Sequence, residues 1–337
     1  MIALGLAATL ASIVIVRWVR SYALRREWLD VPTARSSHEA PTPRGGGLGF
    51  AVPIVAALGL APLAGVAPGV AWPAGLALAG VAGAGWLDDR RGVPIGGRLL
   101  VHVGAGIVLA WIAHRLGAGL GMSVAPAAAW WIFWTVSAIN VVNFMDGIDG
   151  LIGLTAAIFA AFAALALTIP PEAGAGDGAV FPASLAIVAL GAVLGFLRYN
   201  WPPASIFMGD VGSGTLGALF VLLGIASVAA LDWTILHAFL PLTPLFSDEV
   251  MTMGRRLSRG ERLWVAHRSH VYQRLVQAGW SHGRVAFLYG AVSVLGAGIA
   301  LGLPRTTGPF LLTALCYLVS STTLLLVLGH GADRRIV

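Results

Sequence analysis

The feature that most constrains this chain is a succession of long apolar segments separated by short polar connections. A helix that crosses the hydrocarbon core of a bilayer needs about 20 predominantly apolar residues. Of the 337 residues, 58% are hydrophobic and 11% are charged, whereas a soluble domain normally carries about 25% charged residues. The sequence therefore predicts one all-α, polytopic integral membrane domain over residues 1–337.

Hydropathy divides this domain into about eleven predicted transmembrane helices. The predicted spans are roughly 2–17, 47–65, 69–86, 99–115, 127–142, 151–169, 181–197, 213–230, 234–252, 284–303 and 309–328. The connections and tail on one side carry 19 of the 21 arginines, and the other side carries only Arg115 and Arg305. Because basic residues concentrate in cytoplasmic loops, the N-terminus is predicted outside and the C-terminus in the cytoplasm. The cytoplasmic connections are predicted at about 18–46, 87–98, 143–150, 198–212 and 253–283.

The basic and sulfur-containing residues exclude several classes of site. Cys316 is the single cysteine, which excludes an intrachain disulfide and a cysteine metal cluster. Because the chain contains no lysine, any basic side chain that binds a phosphate must be arginine or histidine. An isoelectric point near 10.4 reflects orientation in the membrane and does not indicate nucleic-acid binding.

A polar run from Asn140 to Leu151 separates two of the apolar segments. Helical spacing would place Asn143 and Asp146 on one face, and likewise Asp146 and Asp149. Carboxylates beside a bilayer are energetically costly and therefore indicate function by default. The alternative is that these residues cap the ends of two helices.

Three further acidic clusters, with five residues in all, lie near the cytoplasmic ends of spans. Asp88 and Asp89 precede two arginines, so they either bind a metal or substrate or form a solvated helix end. Asp210 lies in a glycine-rich turn before a span, where exposed N–H groups favour an anion. An aspartate there would repel a phosphate unless a cation stood between them, so Asp210 is a candidate Mg²⁺ ligand, or otherwise an N-cap. Asp248 and Glu249 either line the same cavity or pair with nearby arginines.

Two basic clusters are candidates for binding a phosphate or a lipid head group. They consist of Arg35, His38 and Arg44 in the first connection, and of His267, Arg268 and His270 in the last. The two histidines of the last cluster are three residues apart, which predicts one face of a helix. Zinc is disfavoured because the arginines would oppose the cation. The alternative for both clusters is the general excess of cytoplasmic charge, attracted to anionic lipid.

Carboxylates, Mg²⁺ and arginine or histidine together are the groups that phosphoryl transfer uses. A site at the inner membrane interface suits one lipid substrate and one phosphate-rich cytoplasmic substrate. The competing class is a transporter of lipid-linked substrates. Transporters place ionisable residues near the bilayer midplane, whereas the predicted spans are nearly free of charge there.

Four motifs, in this order along the chain, resemble polyprenyl-phosphate N-acetylhexosamine-1-phosphate transferases of the glycosyltransferase family 4 type. The motifs are Asp88-Asp89, Asn140-x-x-Asn143-x-x-Asp146-Gly-x-Asp149-Gly-Leu151, Phe207-x-Gly209-Asp210-x-Gly212-Ser213 and His267-Arg268-Ser269-His270. The resemblance covers essentially the whole chain. The first-loop motif that ends in Arg35-Ser-Ser-His38 is most similar to the O-antigen-initiating branch, which uses UDP-N-acetyl-fucosamine or -quinovosamine type sugars. The peptidoglycan branch carries three consecutive histidines in its last loop.

This resemblance implies an activity at the bacterial inner membrane. A sugar 1-phosphate would pass from a UDP-N-acetylhexosamine to undecaprenyl phosphate, with release of UMP, as the first membrane step of O-antigen or polysaccharide synthesis. A peptidoglycan- or teichoic-acid-type transferase is the alternative within the family. Mg²⁺ as cofactor, with Mn²⁺ as an alternative, and a homodimer are also implied.

The resemblance also implies roles for individual residues. Asp210 would be the leading Mg²⁺ ligand, with Asn143 and Asp146 lining the catalytic centre beside it. Asp88 and Asp89 would engage the lipid phosphate or the metal. The remaining predicted substrate-binding residues are Asn140, Asp149, Arg35, His38, Arg44, His267, Arg268 and His270, the last three for the nucleotide diphosphate. The second pKa of a phosphate monoester is about 6, so Asp88 is predicted to position substrate or metal and not to act as a base.

Overall fold

The structure, a computed structural model, describes residues 1–32, 40–168, 179–231, 233–262, 265, 267–302 and 308–336. Arg35 and His38 lie outside these ranges. The helices are α1 (Ile2–Arg25), α2 (Leu48–Leu60), α3 (Pro68–Arg91), α4 (Ile95–Leu116), α5 (Val124–Met145), α6 (Leu151–Thr168), α7 (Val180–Asn200), α8 (Gly209–Leu231), α9 (Ile235–Phe239), α10 (Thr243–Ser258), α11 (Val271–Gln277), α12 (His282–Gly302) and α13 (Gly308–Ile336). A minimal antiparallel pair joins β1 (Leu29–Asp30) to β2 (Thr42–Pro43).

Nine helices within the described ranges are long and apolar enough to cross a bilayer. The structure is therefore nearly all helical and consistent with the predicted polytopic membrane protein, apart from the short β1–β2 pair. Two predicted spans differ from the observed helices. The structure has the shorter α2 and a 3₁₀ turn in place of the span predicted at 47–65, and a 3₁₀ turn between α9 and α10 divides the span predicted at 234–252. Pro241 lies in that turn and Pro244 in the first turn of α10, and proline has no N–H for the helical hydrogen bond. The count of eleven and the orientation of the termini stay predictions.

Several helices extend beyond the ends that hydropathy predicted. The third helix continues to Arg91 and so carries both Asp88 and Asp89. Hydropathy falls at the first polar side chain, whereas backbone hydrogen bonding continues while water or head groups can solvate the side chains. By contrast α5 ends at Met145, so the helical spacing predicted to run through Asp149 is wrong. The chain turns at residues 146–150 and resumes a helix at α6.

The eighth helix is the axis of the bundle. It packs against α3, α4, α5 and α6, and 89% of the residues in its most apolar segment are buried. Its N-terminus touches the start of α2, where a Cβ on Gly47 would overlap the Gly212 backbone. The C-terminal ends of α3 and α5 meet the N-terminal ends of α4, α8 and α12 at one end of this bundle. This arrangement brings Asp210, in the first turn of α8, to the centre of that end.

Candidate active site

Asp89 caps the first turn of α8 from a different helix. Its two carboxylate oxygens accept the N–H groups of Asp210 at 3.0 Å and Val211 at 3.2 Å. The first N–H groups of a helix lack partners within the helix, and the helix dipole stabilises a negative charge beside them. Asp89 therefore fixes the backbone of Asp210. Its predicted contact with a lipid phosphate or a metal stays a prediction.

The Asp210 side chain is held by Asn143, from the last turn of α5. The Asn143 Nδ2 group donates to Asp210 Oδ1 at 3.0 Å and to Ser213 Oγ at 3.0 Å. These bonds orient one carboxylate oxygen and tie the end of α5 to the start of α8. The sequence placed Asn143 and Asp210 in separate motifs, and the structure brings them into direct contact.

Arg98, near the start of α4, links two of the predicted acidic residues. Its Nη1 donates to Asp88 Oδ2 at 2.6 Å and to Asp210 Oδ2 at 3.2 Å. The guanidinium therefore neutralises part of the charge of the acidic cluster. Sequence reasoning counted Arg98 only as a cytoplasmic charge. The available signal was its position ten residues after Asp88, in the same short connection.

The first connection reaches the site through backbone pairing with the loop before α8. Phe207 N–H donates to Pro43 O at 2.8 Å, and Gly46 N–H donates to Phe207 O at 2.8 Å. This pairing fixes the backbone on both sides of Arg44, whose side chain lines the cavity and pairs with Asp30 at 3.1 Å. The predicted basic approach to the second helix thus contributes Arg44 to the site.

A polar cavity of about 300 Å³ lies among these elements. Its lining comprises Asp30, Arg44, Asn143, Asp146, Gly147, Ile148, Asp149, Asn200, Phe207, Gly209, Asp210, Gln273 and His282. Five of the predicted site residues are therefore brought together: Arg44, Asn143, Asp146, Asp149 and Asp210. Asp88 and Asp89 contact Asp210 or its hydrogen-bond partners from α3.

Asp146 is the first residue of the turn after α5. Burial, and next the charge of Asp210, raise the pKa of its carboxyl to about 8. The Tyr272 hydroxyl supports this turn, since it donates to Phe144 O at 3.1 Å at the end of α5. A Cβ at Gly147 would overlap that hydroxyl, so only glycine fits beside Asp146.

Asp149 closes one side of the cavity together with a histidine that the sequence did not single out. Its Oδ2 accepts the N–H of Ala204 at 3.0 Å and lies 3.3 Å from Nδ1 of His282. His282 begins α12, more than 130 residues away along the chain. A lone histidine at the start of an apolar helix carries no sequence signal for this contact. Gln273, which follows the histidine motif of the last connection, also lines the cavity but was not predicted as a site residue.

Asn140 lies outside the polar cavity. Its Nδ2 donates to Val136 O at 2.7 Å, within its own helix. Its side chain faces a separate groove that also touches Arg98, His102 and Phe144. Asn143 and Asp210 line this groove as well, so Asn140 lies beside two of the predicted catalytic residues, and its contact with substrate stays a prediction.

The histidine cluster of the last connection also lies outside the cavity lining. The prediction that His267 and His270 share one face of a helix is wrong, because α11 begins only at Val271. His270 has extended backbone and donates its N–H to Gln273 Oε1 at 3.3 Å, as an N-cap does. The rings of the two histidines are nevertheless 4.8 Å apart. Arg268 accepts a bond from Gln277 at its carbonyl.

Asp248 anchors this last connection to α10. Its fully buried carboxylate accepts the N–H groups of Val271 at 2.8 Å and Tyr272 at 3.0 Å. It also accepts the hydroxyls of Tyr289 at 2.6 Å and Thr252 at 3.0 Å. Neither alternative from the sequence holds, since Asp248 faces the start of α11 and not the cavity or a neighbouring arginine. Through Tyr272, it supports the turn that carries Asp146.

The donor atoms around Asp210 fit a hard divalent cation. The cavity offers carboxylate oxygens from Asp210 and Asp146 and the amide oxygen of Asn143, and Mg²⁺ prefers oxygen ligands. Among the described residues, no group of three or more His, Cys, Asp or Glu side chains is placed to hold a metal ion. A Mg²⁺ ion here would therefore have to take further ligands from water and substrate phosphates. The raised pKa of Asp146 is typical of a carboxylate that a nearby cation would stabilise.

The fold and the cavity define a polytopic membrane protein with an acidic cavity, also lined by Arg44, at one end of its helical bundle. Its sequence matches the family described as glycosyl transferase family 4 over residues 71–228, which include Asp88, Asn143, Asp146 and Asp210. It is 30% identical to the decaprenyl-phosphate N-acetylglucosaminephosphotransferase of Mycobacterium tuberculosis, across 98% of this chain and 89% of that protein. The chain therefore belongs to glycosyl transferase family 4.

Two other relatives match shorter segments. The probable undecaprenyl-phosphate N-acetylglucosaminyl 1-phosphate transferase of Bacillus subtilis is 35% identical over 31% of this chain and 30% of its own length. The phospho-N-acetylmuramoyl-pentapeptide-transferase of Lacticaseibacillus paracasei is 31% identical over 37% of this chain and 38% of its own length. Each of these two matches covers about a third of the chain.

Proposed function

We propose that this protein transfers an N-acetylhexosamine 1-phosphate group from a UDP-sugar to undecaprenyl phosphate and releases UMP. The observation that carries the proposal is the cavity in which Asp210 and Asp146 face the same space as Arg44. Phosphoryl transfer needs both cation-binding carboxylates and basic groups around the phosphates. Membership of the family and the nearly full-length mycobacterial relative support the same reaction.

The transfer itself exchanges one phosphorus–oxygen bond for another. A phosphate oxygen of the polyprenyl acceptor bonds to the β-phosphorus of the UDP-sugar. The bond from that phosphorus to the bridging oxygen breaks, and UMP leaves with the electron pair. The acceptor is a monoester with a second pKa of about 6, so it is already mostly dianionic at neutral pH. We therefore assign Asp88 to orienting Arg98, which it contacts at 2.6 Å, and not to removing a proton.

Asp210 and Asp146 would hold Mg²⁺, with Mn²⁺ as an alternative. When bound, the ion supplies charge neutralisation for the substrate phosphates. The protein's own groups do the rest. Asp89 fixes the backbone of Asp210, Asn143 orients its side chain, and Arg44 faces the phosphates from the first connection.

The site is proposed to face the cytoplasm of a bacterial inner membrane. The connections assigned to that side carry 19 of the 21 arginines, which supports an outer N-terminus and a cytoplasmic C-terminus. A UDP-sugar would then reach the cavity from the cytosol, and the acceptor would reach it from the bilayer. The homodimer that the resemblance implies stays a prediction.

The donor sugar is proposed to be an N-acetylhexosamine smaller than a muramoyl pentapeptide. The relative that matches nearly the whole chain is named for N-acetylglucosamine, whereas the muramoyl-pentapeptide transferase matches 37% of the chain. UDP-N-acetyl-fucosamine or -quinovosamine, and a place in O-antigen synthesis, are predicted by a motif that includes Arg35 and His38. Those donors belong in the same test.

The test is UMP release by purified protein in detergent, with undecaprenyl phosphate, Mg²⁺ and a panel of UDP-sugars. We expect lipid-dependent release that EDTA stops and that Asp210→Asn lowers by about 100-fold or more, since Asp210 would be the leading ligand of the ion that neutralises the substrate phosphates. Asp333→Asn, an acidic residue on α13 away from the cavity, is the matched control and should retain activity. A well-folded protein that releases no UMP from any donor would refute the proposal, and lipid-linked substrate transport would be tested next.

A further inference from the structure

A second cleft, separate from the acidic cavity, opens between α1 and α3. It has a volume of about 510 Å³ and an almost entirely apolar lining. Trp18 and Tyr22 form its α1 side, and Gly83, Trp86 and Arg90 form its α3 side. Trp18 is 63% exposed, so the cleft opens on the outer surface of the bundle, where lipid surrounds a membrane protein. Its single charged lining residue is Arg90.

The Arg90 guanidinium is enclosed by aromatic rings. Its Cζ lies 4.4 Å from the centre of the Trp86 ring, 5.1 Å from that of Trp28 and 5.8 Å from that of Tyr22. Its Nη2 donates to the Tyr22 hydroxyl at 3.1 Å. Within the described ranges, no carboxylate lies within ion-pair distance of Arg90. Rings hold a guanidinium by its faces, which leaves N–H groups at its edge for a planar or tetrahedral oxyanion.

A second arginine strengthens the positive charge at this end of the cleft. The Arg26 Cζ lies 6.0 Å from the centre of the same Tyr22 ring. In the part of the chain that the structure describes, Arg26 also has no carboxylate partner. Two guanidinium groups beside one ring therefore create an uncompensated positive site at the polar end of an apolar cleft.

The cleft has the depth of an acyl chain segment. Gly83 and Arg90 are seven residues apart on one helix, which corresponds to about 10 Å along the helix axis. A Cβ at Gly83 would meet no heavy atom within 4 Å, so the α3 wall is open at that depth. An apolar channel of this length that ends at two cations matches a phosphate attached to a hydrocarbon chain.

We propose that this cleft binds an anionic glycerophospholipid of the surrounding bilayer. Its phosphate lies on Arg90 and Arg26, and one acyl chain lies against Trp18, Gly83 and Trp86. The polyprenyl acceptor has the same chemistry, but its phosphate must reach the acidic cavity. Asp88 contacts Arg98, which also binds Asp210 at that cavity, and Arg90, two residues further on, is rotated about 200° around the helix. A phosphate on Arg90 is therefore on the far side of α3 from the reacting groups.

The cleft is connected to the acidic site by two hydrogen bonds. The Trp28 indole N–H donates to the carbonyl oxygen of Asp89 at 3.2 Å. The Asp89 carboxylate in turn holds the first amides of α8, including that of Asp210. A lipid that steadies Trp28 and Arg90 would steady the last turn of α3 and the cap on α8. Anionic lipid should therefore raise both stability and turnover, and the effect on turnover rests on the proposed function.

The experiment measures lipid binding to the delipidated, full-length protein in detergent. Dioleoylphosphatidylglycerol, dioleoylphosphatidylcholine and undecaprenyl phosphate are titrated separately, with native mass spectrometry and the thermal unfolding midpoint as readouts. Gly83→Leu fills the cleft, and Arg90→Gln removes the charge while it keeps a hydrogen-bonding side chain. Gly80→Leu is the matched control, because Gly80 lies on the same helix, is also open and does not line the cleft.

We expect phosphatidylglycerol to bind and to raise the midpoint, with an affinity about fivefold or more above that of phosphatidylcholine. Gly83→Leu and Arg90→Gln should each lose that preference, and Gly80→Leu should keep it. Equal binding by the wild-type protein and Gly83→Leu would overturn the proposal. Binding of undecaprenyl phosphate that Gly83→Leu abolishes, without phosphatidylglycerol binding, would also overturn it. If phosphatidylglycerol binds as expected but no UMP is released in any lipid, the proposed function fails and this inference stands.

Discussion

Replacing Asp248 should destabilise the protein more than any exposed carboxylate would. Asp248→Ala leaves three buried donors without an acceptor: the N–H groups of Val271 and Tyr272 and the hydroxyl of Tyr289. The Thr252 hydroxyl can return to a backbone carbonyl of its own helix and is not counted. Each unsatisfied buried donor costs about 1–3 kcal/mol, so the free energy of unfolding should fall by about 3–6 kcal/mol after partial relaxation.

The assay is the thermal unfolding midpoint in detergent at one fixed scan rate. A change of 1 kcal/mol moves the midpoint of a large domain by about 2 °C, so Asp248→Ala should lower it by about 6–12 °C. Asp248→Asn keeps one acceptor oxygen and should show about half of that shift. Asp333→Asn is the matched control, because Asp333 also binds the α11 region, through Arg274, but its side chain is 51% exposed.

A midpoint for Asp248→Ala within about 2 °C of both the wild-type protein and Asp333→Asn would refute this reasoning. It would mean that the donors find water or other acceptors when the carboxylate is removed. Turnover, measured at temperatures below the unfolding midpoint, provides a second check of this reasoning. Because Tyr272 supports the turn at Gly147, loss of Asp248 should lower UMP release even where the protein remains folded.

Three further predictions concern the acidic site and its supports. Without divalent cations, the unfolding midpoint should fall as pH rises from about 4 to 8 and level off above, because the pKa of Asp146 is raised to about 8 in the folded protein and is about 4 in the unfolded chain. Asp146→Asn should remove that component of the pH dependence, and an unchanged profile would contradict the assignment. Gly147→Ala should lower UMP release, because the new Cβ displaces the Tyr272 hydroxyl. A double variant that also carries Tyr272→Phe should recover part of the lost UMP release. If it recovers none, this contact is not the cause of the loss. Gly47→Ala should lower the midpoint by about 4 °C or more through overlap with the Gly212 backbone, whereas Gly59→Ala on the same helix, where the space is open, should change it little.

The sequence predicted the class of fold and five of the thirteen residues that line the acidic cavity. Long apolar segments have few alternatives to membrane-spanning helices, so hydropathy located most of the spans within a few residues. Asn143, Asp146 and Asp210 were recognisable because polar side chains are rare in such a chain. Hydropathy did not predict the helix break near Pro241 and Pro244, because the segment remains apolar on both sides of the two prolines.

The remaining differences depend on contacts between distant parts of the chain. Arg98 has the same sequence appearance as any cytoplasmic arginine, and only the packing of α4 beside α8 places it between Asp88 and Asp210. His282 meets Asp149 through tertiary packing alone. The spacing of His267 and His270 suggested a helix, but the N-cap position of His270 depends on where α11 begins, and local propensity does not fix that residue.

The central position of α8 has a consequence for how the protein is made. Membrane helices leave the ribosome in order, and seven of the helices described above precede α8 in the chain. In the folded protein, 89% of the residues in the most apolar segment of α8 are buried. The helices made earlier must therefore already be in the bilayer when α8 is inserted, and they must then pack around it. Asp89, Arg98 and Asn143 can meet Asp210 only at that moment. A chain that ends before residue 209 therefore lacks Asp210 and cannot form the acidic cavity.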